Sequence, residues 1–182
     1  QFLPTWRQDR DYRDSVSAKR ELGGGVLLEL SHELDYLRWV FGEVKTVRAT
    51  VLKQSKLDLN VEDYAHLFIC FCSGGVTASL NMDFIRHDYT RNCKVIGEKG
   101  TIRWDATSGL VEIWKQNECS WKTIFENSQA KEETYHSEWK AFLQAVQYKR
   151  SAGANLEDGL AVLKIIDAAR LSDRNGGKKV NI

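Results

Sequence analysis

The feature that most limits the possible folds is a run of alternating side chains in the middle of the chain. Over Val76–Phe84, apolar residues occupy every second position and mostly polar residues stand between them. The run follows a nearly continuous apolar stretch, Tyr64–Cys72, across a short turn at Ser73-Gly74-Gly75. Two extended segments joined by so short a turn predict an antiparallel hairpin with one buried face and one polar face.

Further strands are predicted on both sides of this hairpin, and helices are predicted at both ends of the chain. Val47–Leu52 alternates before it, and four short apolar segments follow it between glycine turns: Cys93–Ile96, Thr101–Trp104, Val111–Trp114 and Trp121–Phe125. A helical period covers Val26–Phe41. Two helices are predicted near the C-terminus, and the second opens at an Asn155–Asp158 capping box.

This order of elements predicts an α+β fold. We expect a single domain over residues 1–182, with a mostly antiparallel open sheet of about six to seven strands and helices packed on one face. The core stripe of the last helix is predicted to be Leu156, Leu160, Leu163 and Ile166.

Composition excludes several classes of protein. The 182 residues carry a net charge of only +1, which argues against a nucleic-acid partner or an anionic membrane surface. The four cysteines form no CxxC pair, so we expect reduced cysteines, a cytoplasmic protein and no metal, with zinc or a disulfide as the alternative. The chain begins at Gln1 and its only methionine is Met82, so we expect an upstream part.

The first long helix carries the residues with the clearest chemistry. The helix carries an apolar stripe, here called the leucine stripe, of Leu27, Leu30, Leu34, Leu37 and Phe41. His32 lies opposite this stripe, with Glu29 three residues before it and Asp35 three residues after it. Side chains three apart on a helix can touch, and a histidine beside carboxylates is suited to proton transfer. The alternative is a partly buried histidine that pairs with Asp35 for structural reasons alone.

Three arginines are candidates for binding a substrate. Arg86 and Arg91 follow the alternating strand, and Arg13 precedes the glycines at Gly23–Gly25. These side chains could reach hydroxyl groups or a phosphate. The alternative is that they belong to a solvated surface.

The segment Gly23–Asp35, GGGVLLELSHELD, resembles the GGGxLxDxxxHxxD motif of the glucose–fructose oxidoreductase, inositol dehydrogenase and rhizopine-catabolism (Gfo/Idh/MocA) family. The stretches Val95–Ile102 and Leu156–Gly176 also resemble the family, so the resemblance covers essentially the whole chain as the family's C-terminal domain. His32 matches the family histidine that assists proton transfer, and Asp35 matches the second acidic position. The family aspartate falls on Leu28, and Glu29 stands one position later.

The resemblance implies an NAD(P)-dependent oxidoreductase acting on a sugar, polyol or sugar nucleotide, with His32 and Glu29 catalytic and Asp35 in a supporting role at the substrate. The family binds NAD or NADP in an N-terminal Rossmann domain, which this chain lacks, since it contains no GxGxxG. We therefore expect the chain alone to be inactive and to bind no cofactor. We also expect a homo-oligomer that uses the polar face of Thr77–Asp83. A non-catalytic carbohydrate-binding or dimerisation module is the alternative.

Overall fold

The computed structural model describes residues 2–6, 10–127, 131–151 and 153–182. Within these ranges the chain forms eight strands, four α-helices and several short 3₁₀ turns. The helices are α1 Val26–Glu29, α2 Ser31–Phe41, α3 Lys131–Tyr148 and α4 Leu156–Arg174. The strands are β1 Val44–Leu52, β2 Tyr64–Phe71, β3 Thr77–Asp83, β4 Asn92–Gly97, β5 Gly100–Asp105, β6 Leu110–Lys115, β7 Trp121–Glu126 and β8 Val180–Asn181. The α+β class with antiparallel pairing is confirmed.

The chain divides into two compact units, and the first comprises Gln1–His87 and Ala154–Ile182. Its sheet has the strand order β3-β2-β1-β8, with every pair antiparallel. Leu67 in β2 lies between Ala49 of β1 and Leu80 of β3. This alternate set of apolar side chains forms the buried face of the sheet, as the sequence period predicted.

Helix α4 covers that buried face. The predicted capping box is present, because the Asn155 side chain accepts from the N–H of Asp158 and the Asp158 carboxylate accepts from the N–H of Asn155. Ser172 accepts from the Ala49 N–H and donates to the Lys178 carbonyl, which ties the helix to β1. The buried residues of α4 are Val162, Ile165, Ile166, Ala168, Ala169 and Ser172.

The predicted core stripe of α4 is therefore wrong except at Ile166. Leu156, Leu160 and Leu163 are exposed. Apolar residues occur on both faces of this helix, so the period alone does not decide which face packs on the sheet. The small residues Ala168 and Ala169 let the other face approach the strands closely.

The second unit, Asp88–Gly153, is a four-stranded meander in the order β4-β5-β6-β7, followed by α3. The strands thus form two four-stranded sheets, where the sequence analysis placed six to seven strands in one. The first sheet ends at β3 because the Asp83 carboxylate accepts from the N–H groups of Ile85 and Arg86, which turns the chain away. None of the helices in the described ranges is long and apolar enough to span a bilayer.

Candidate functional site

The helical segment that carries His32 is interrupted in the structure. The sequence predicted one helix over Val26–Phe41, but Leu30 (φ −102°, ψ 24°) ends α1 and α2 begins at Ser31. The Leu30 carbonyl accepts from the N–H of Glu33 and thereby starts the second helix. His32 consequently lies in the first turn of α2.

The apolar stripe holds this segment in place and leaves His32 accessible. Leu27, Leu34 and Leu37 are buried in the core of the first unit, as the stripe predicted. The Val26 N–H donates to the Glu62 carbonyl, which fixes the start of α1 beside the sheet. The His32 side chain is 51% exposed, so a small molecule can reach the imidazole.

A carboxylate outside the predicted set of site residues contacts this imidazole. Glu33 Oε1 lies 3.1 Å from His32 Nε2, and the Glu33 side chain is only 12% exposed. Adjacent residues on a helix normally point apart, which is why the spacing argument passed over Glu33. One feature of the sequence could have indicated Glu33. An acidic residue is favoured in the first turn of a helix, because the helix dipole has its positive end there.

The two carboxylates that spacing did select have different surroundings. Glu29 belongs to α1, so the break at Leu30 separates it from the helix of His32. Asp35 is on α2 with His32, and both Glu29 and Asp35 are half-buried. The contribution of each to the site stays a prediction.

The three candidate arginines are distributed over both units. Arg13 is in the first unit and binds Asp11 through two guanidinium nitrogens, with Nε 2.9 and 3.0 Å from the carboxylate oxygens. Hydrogen bonds from Arg13 lower the pKa of Asp11 to about 2. Arg86 is exposed and also belongs to the first unit. Arg91 belongs to the second unit, with its guanidinium carbon 5.3 Å from the Trp104 ring centroid.

The glycine turn before α1 stands where other proteins hold a phosphate, since glycines at a helix start can approach an anion closely. Gly25 has φ +109°, and a Cβ there would lie 2.5 and 2.8 Å from the Glu62 carboxylate oxygens. A Cβ on Gly24 would lie 2.2 Å from the Val16 carbonyl oxygen. The glycines thus make room for a carboxylate and a carbonyl, which occupy the space that a phosphate would need. This turn does not fit a dinucleotide cofactor.

The second unit contains a polar cavity of about 330 Å³ between β4, β5 and β6. Arg103 binds Glu112 at 2.5 Å within it and lies over the Trp121 ring, 4.2 Å from the centroid. The hydrogen bond from Arg103 lowers the pKa of Glu112. The four cysteines are all free thiols, and the described residues contain no group of three or more side chains able to hold a metal ion.

Comparison with known proteins gives a match over nearly the whole chain. The sequence profile of the Gfo/Idh/MocA group described as "Oxidoreductase family, C-terminal alpha/beta domain" matches residues 4–182. Among curated proteins, none matches the sequence at a significant level.

Solved structures share the fold at low sequence identity. An aldose-aldose oxidoreductase from Caulobacter crescentus complexed with glycerol has a TM-score of 0.79 and 23% identity, with 93% of this chain and 51% of that chain covered. An oxidoreductase from Agrobacterium radiobacter in complex with NAD+, L-tartaric acid and magnesium gives 0.73 and 18%, covering 91% and 51%. The WlbA dehydrogenase from Bordetella pertussis with NADH and UDP-GlcNAcA gives 0.69 and 20%, covering 91% and 47%. This chain spans about half the length of these proteins.

Proposed function

Because the chain belongs to the Gfo/Idh/MocA oxidoreductase family, as its C-terminal alpha/beta domain, we propose that it is the substrate-binding and assembly domain of an NAD(P)-dependent sugar dehydrogenase. The substrate class is a sugar, polyol or sugar nucleotide, whose hydroxyl carbon is oxidised or whose carbonyl is reduced. Solved structures of the same fold contain glycerol, L-tartaric acid with NAD+, or UDP-GlcNAcA with NADH, which supports this class.

His32 is the proposed proton-transfer residue. One arrangement supports this assignment: the imidazole is accessible and lies beside the largely buried Glu33 carboxylate. The other face of the helix is buried in the core, which holds the imidazole in place. Such a group can take the proton of a substrate hydroxyl or return it. Glu29 is the proposed second catalytic group.

The remaining site residues have proposed binding roles. Asp35 would accept hydrogen bonds from substrate hydroxyls. Arg13, Arg86 and Arg91 would donate to hydroxyl oxygens or to a phosphate of the substrate. The Arg13 guanidinium already binds Asp11. Arg13 would therefore contribute least to binding a substrate that has no phosphate to compete with the Asp11 carboxylate.

The cofactor is proposed to bind outside this chain. The Glu62 carboxylate beside Gly25 supports this, because it occupies the space at the glycine turn that the pyrophosphate of a dinucleotide would need. In the complete protein a separate domain would hold NAD or NADP, and the nicotinamide supplies the hydride chemistry when it is bound. The chain alone is therefore proposed to be inactive.

We further propose a homo-oligomer in the cytoplasm. The open face of the first sheet exposes Thr77, Ser79 and Asn81 beside Phe68, and it offers a surface for a second copy. Free thiols support a reducing compartment. Light scattering should give at least twice 20.8 kDa for the chain, and Phe68→Asp should give the monomer, whereas the exposed control Ile96→Asp should not. A monomeric wild-type chain would contradict the interface.

The function is tested by His32→Ala in the complete protein. A positioned acid–base group contributes about 10²–10⁴-fold to the rate, so kcat should fall by roughly that range while cofactor affinity changes little. Glu29→Gln should cost less. His136→Ala is the matched control, because His136 is an exposed histidine on α3, and it should leave kcat unchanged.

The melting temperature of His32→Ala distinguishes a loss of catalysis from a loss of folding stability. His32 is half exposed, so His32→Ala should melt close to wild type. A variant that keeps kcat when folded would favour the alternative of a non-catalytic carbohydrate-binding or dimerisation module.

A further inference from the structure

The contact between His32 and Glu33 joins two side chains of very different exposure. The imidazole is 51% exposed, whereas the Glu33 side chain is 12% exposed, with Oε1 3.1 Å from Nε2. The Glu33 N–H donates to the Leu30 carbonyl at 3.0 Å, so its backbone is fixed in the first turn of α2. A carboxylate held this way can impose an orientation on its more exposed neighbour.

The state of each ring nitrogen follows from this contact. A neutral imidazole carries its proton on one nitrogen and a lone pair on the other. A lone pair on Nε2 would lie 3.1 Å from a carboxylate oxygen and be repelled, whereas an N–H there is attracted. The proton therefore belongs on Nε2, and the lone pair belongs on Nδ1.

We propose that Glu33 is a positioning residue, which keeps the proton on His32 Nε2 and so presents Nδ1 as the acceptor for the substrate hydroxyl proton. This inference rests on the proposed function of His32. When the hydroxyl O–H bond breaks, the new N–H bond forms at Nδ1 and the ring becomes an imidazolium. Its charge then lies beside the Glu33 carboxylate, 3.1 Å from Nε2.

The tautomer can be measured directly on this chain. Long-range ¹H–¹⁵N correlation of the imidazoles in mildly alkaline buffer distinguishes protonated from unprotonated ring nitrogens. Wild type should show His32 with the proton on Nε2 alone, and Glu33→Ala should give a mixture of tautomers. Glu33→Gln keeps an oxygen that can accept from Nε2–H and should stay close to wild type.

Asp35→Asn is the matched control for this measurement. It removes the same charge from the same helix, so it should leave the His32 tautomer unchanged if the Glu33 contact is responsible. A wild-type His32 protonated on Nδ1, or an equal tautomer change in Asp35→Asn, would overturn the proposal.

Kinetics of the complete protein give the second test. Glu33→Ala should lower kcat about tenfold or more, by analogy with carboxylates that orient a catalytic imidazole, but by less than His32→Ala does. If Glu33 acts through His32, then Glu33→Ala should cause no further loss in a His32→Ala background. A merely structural Glu33 would lower kcat by the same factor in both backgrounds, and that result would refute the positioning role.

Failure of this inference is distinguishable from failure of the proposed function. His32→Ala with wild-type kcat rejects the proposed function, whatever the tautomer is. A large loss in His32→Ala, combined with an unchanged tautomer in Glu33→Ala, keeps the proposed function and rejects Glu33 as the positioning residue.

Discussion

The two units contain sheets of equal strand number but very different burial. In the first unit, β1 and β2 place Val47, Ala65 and Leu67 at 0% exposure beneath α4. In the second unit, no described residue between Asp88 and Gly153 is fully buried, and Ile102 in β5, one of the two central strands, is 36% exposed. Both units thus contain a four-stranded antiparallel sheet, but only the first unit has a fully buried core among the described residues.

The difference shows where stability and chemistry lie in the chain. A sheet gains most of its stability from the apolar face that it buries, so the first unit should hold most of the folding free energy. His32 is on a helix anchored in that same core, which keeps its position well defined. The second unit has apolar side chains on α3, among them Trp139 and Phe142, that are exposed. Exposed apolar groups of this kind are typical of surfaces that other molecules cover.

The largest effect that tests this comparison is expected at Leu34. It is 1% exposed and packs in the core beneath α2, so Leu34→Ala should lower the free energy of unfolding by about 2–5 kcal/mol. Ile102→Ala removes a similar side chain from the second unit, where it is 36% exposed, and should cost about 1 kcal/mol or less. Urea unfolding of the chain measures both. Equal losses would mean that the second unit has a core comparable to the first.

Period-two alternation was sufficient to predict most of the strands. Val76–Phe84 and Tyr64–Cys72 were predicted as a hairpin, and β2 and β3 pair with Leu67 opposite Leu80. Alternation works here because it reports directly which side chains face the core. It cannot report how many sheets are formed, because that depended on the Asp83 carboxylate ending β3 through backbone hydrogen bonds.

The helices show what periodicity leaves open. The break at Leu30 changes the partners of His32, yet Val26–Phe41 has a continuous helical period. On α4, Leu160 and Ile165 are both apolar, and only packing against β1 decides that Ile165 is the buried one. Glu33 was missed for another reason, since adjacent residues on a helix normally point apart, yet its carboxylate contacts His32.

An ion pair in each unit allows a finer comparison. In the first unit, Arg38 binds Asp158 at 2.7 Å and links α2 to α4, with the Arg38 side chain 15% exposed. In the second unit, Arg103 binds Glu112 at 2.5 Å, with Arg103 44% exposed. Solvent screens the more exposed pair more strongly, so the pair in the first unit should contribute more to stability.

The smallest predicted effect is the pH dependence of that contribution. The N–H of Asn155, and then Arg38, hold the pKa of Asp158 below its usual value. A carboxylate with a lowered pKa in the folded state stabilises the protein above its unfolded pKa, about 3.9, and this stabilisation is lost as pH falls through the folded pKa. Asp158→Asn removes the charge but keeps an oxygen that can cap α4.

At pH 7, Asp158→Asn should therefore melt below wild type by about 3 °C or less. The difference should persist down to about pH 5, begin to shrink as the pH approaches the unfolded pKa of about 3.9, and close as the pH falls through the lowered folded pKa of Asp158. Glu112→Gln is the counterpart in the second unit and should give a smaller difference with the same direction, because the pKa of Glu112 is also lowered. A difference for Asp158→Asn that survived at the lowest pH would show that the carboxylate acts through its shape and hydrogen bonds. The ion pair of the first unit would then not contribute more electrostatic stabilisation than the ion pair of the second unit.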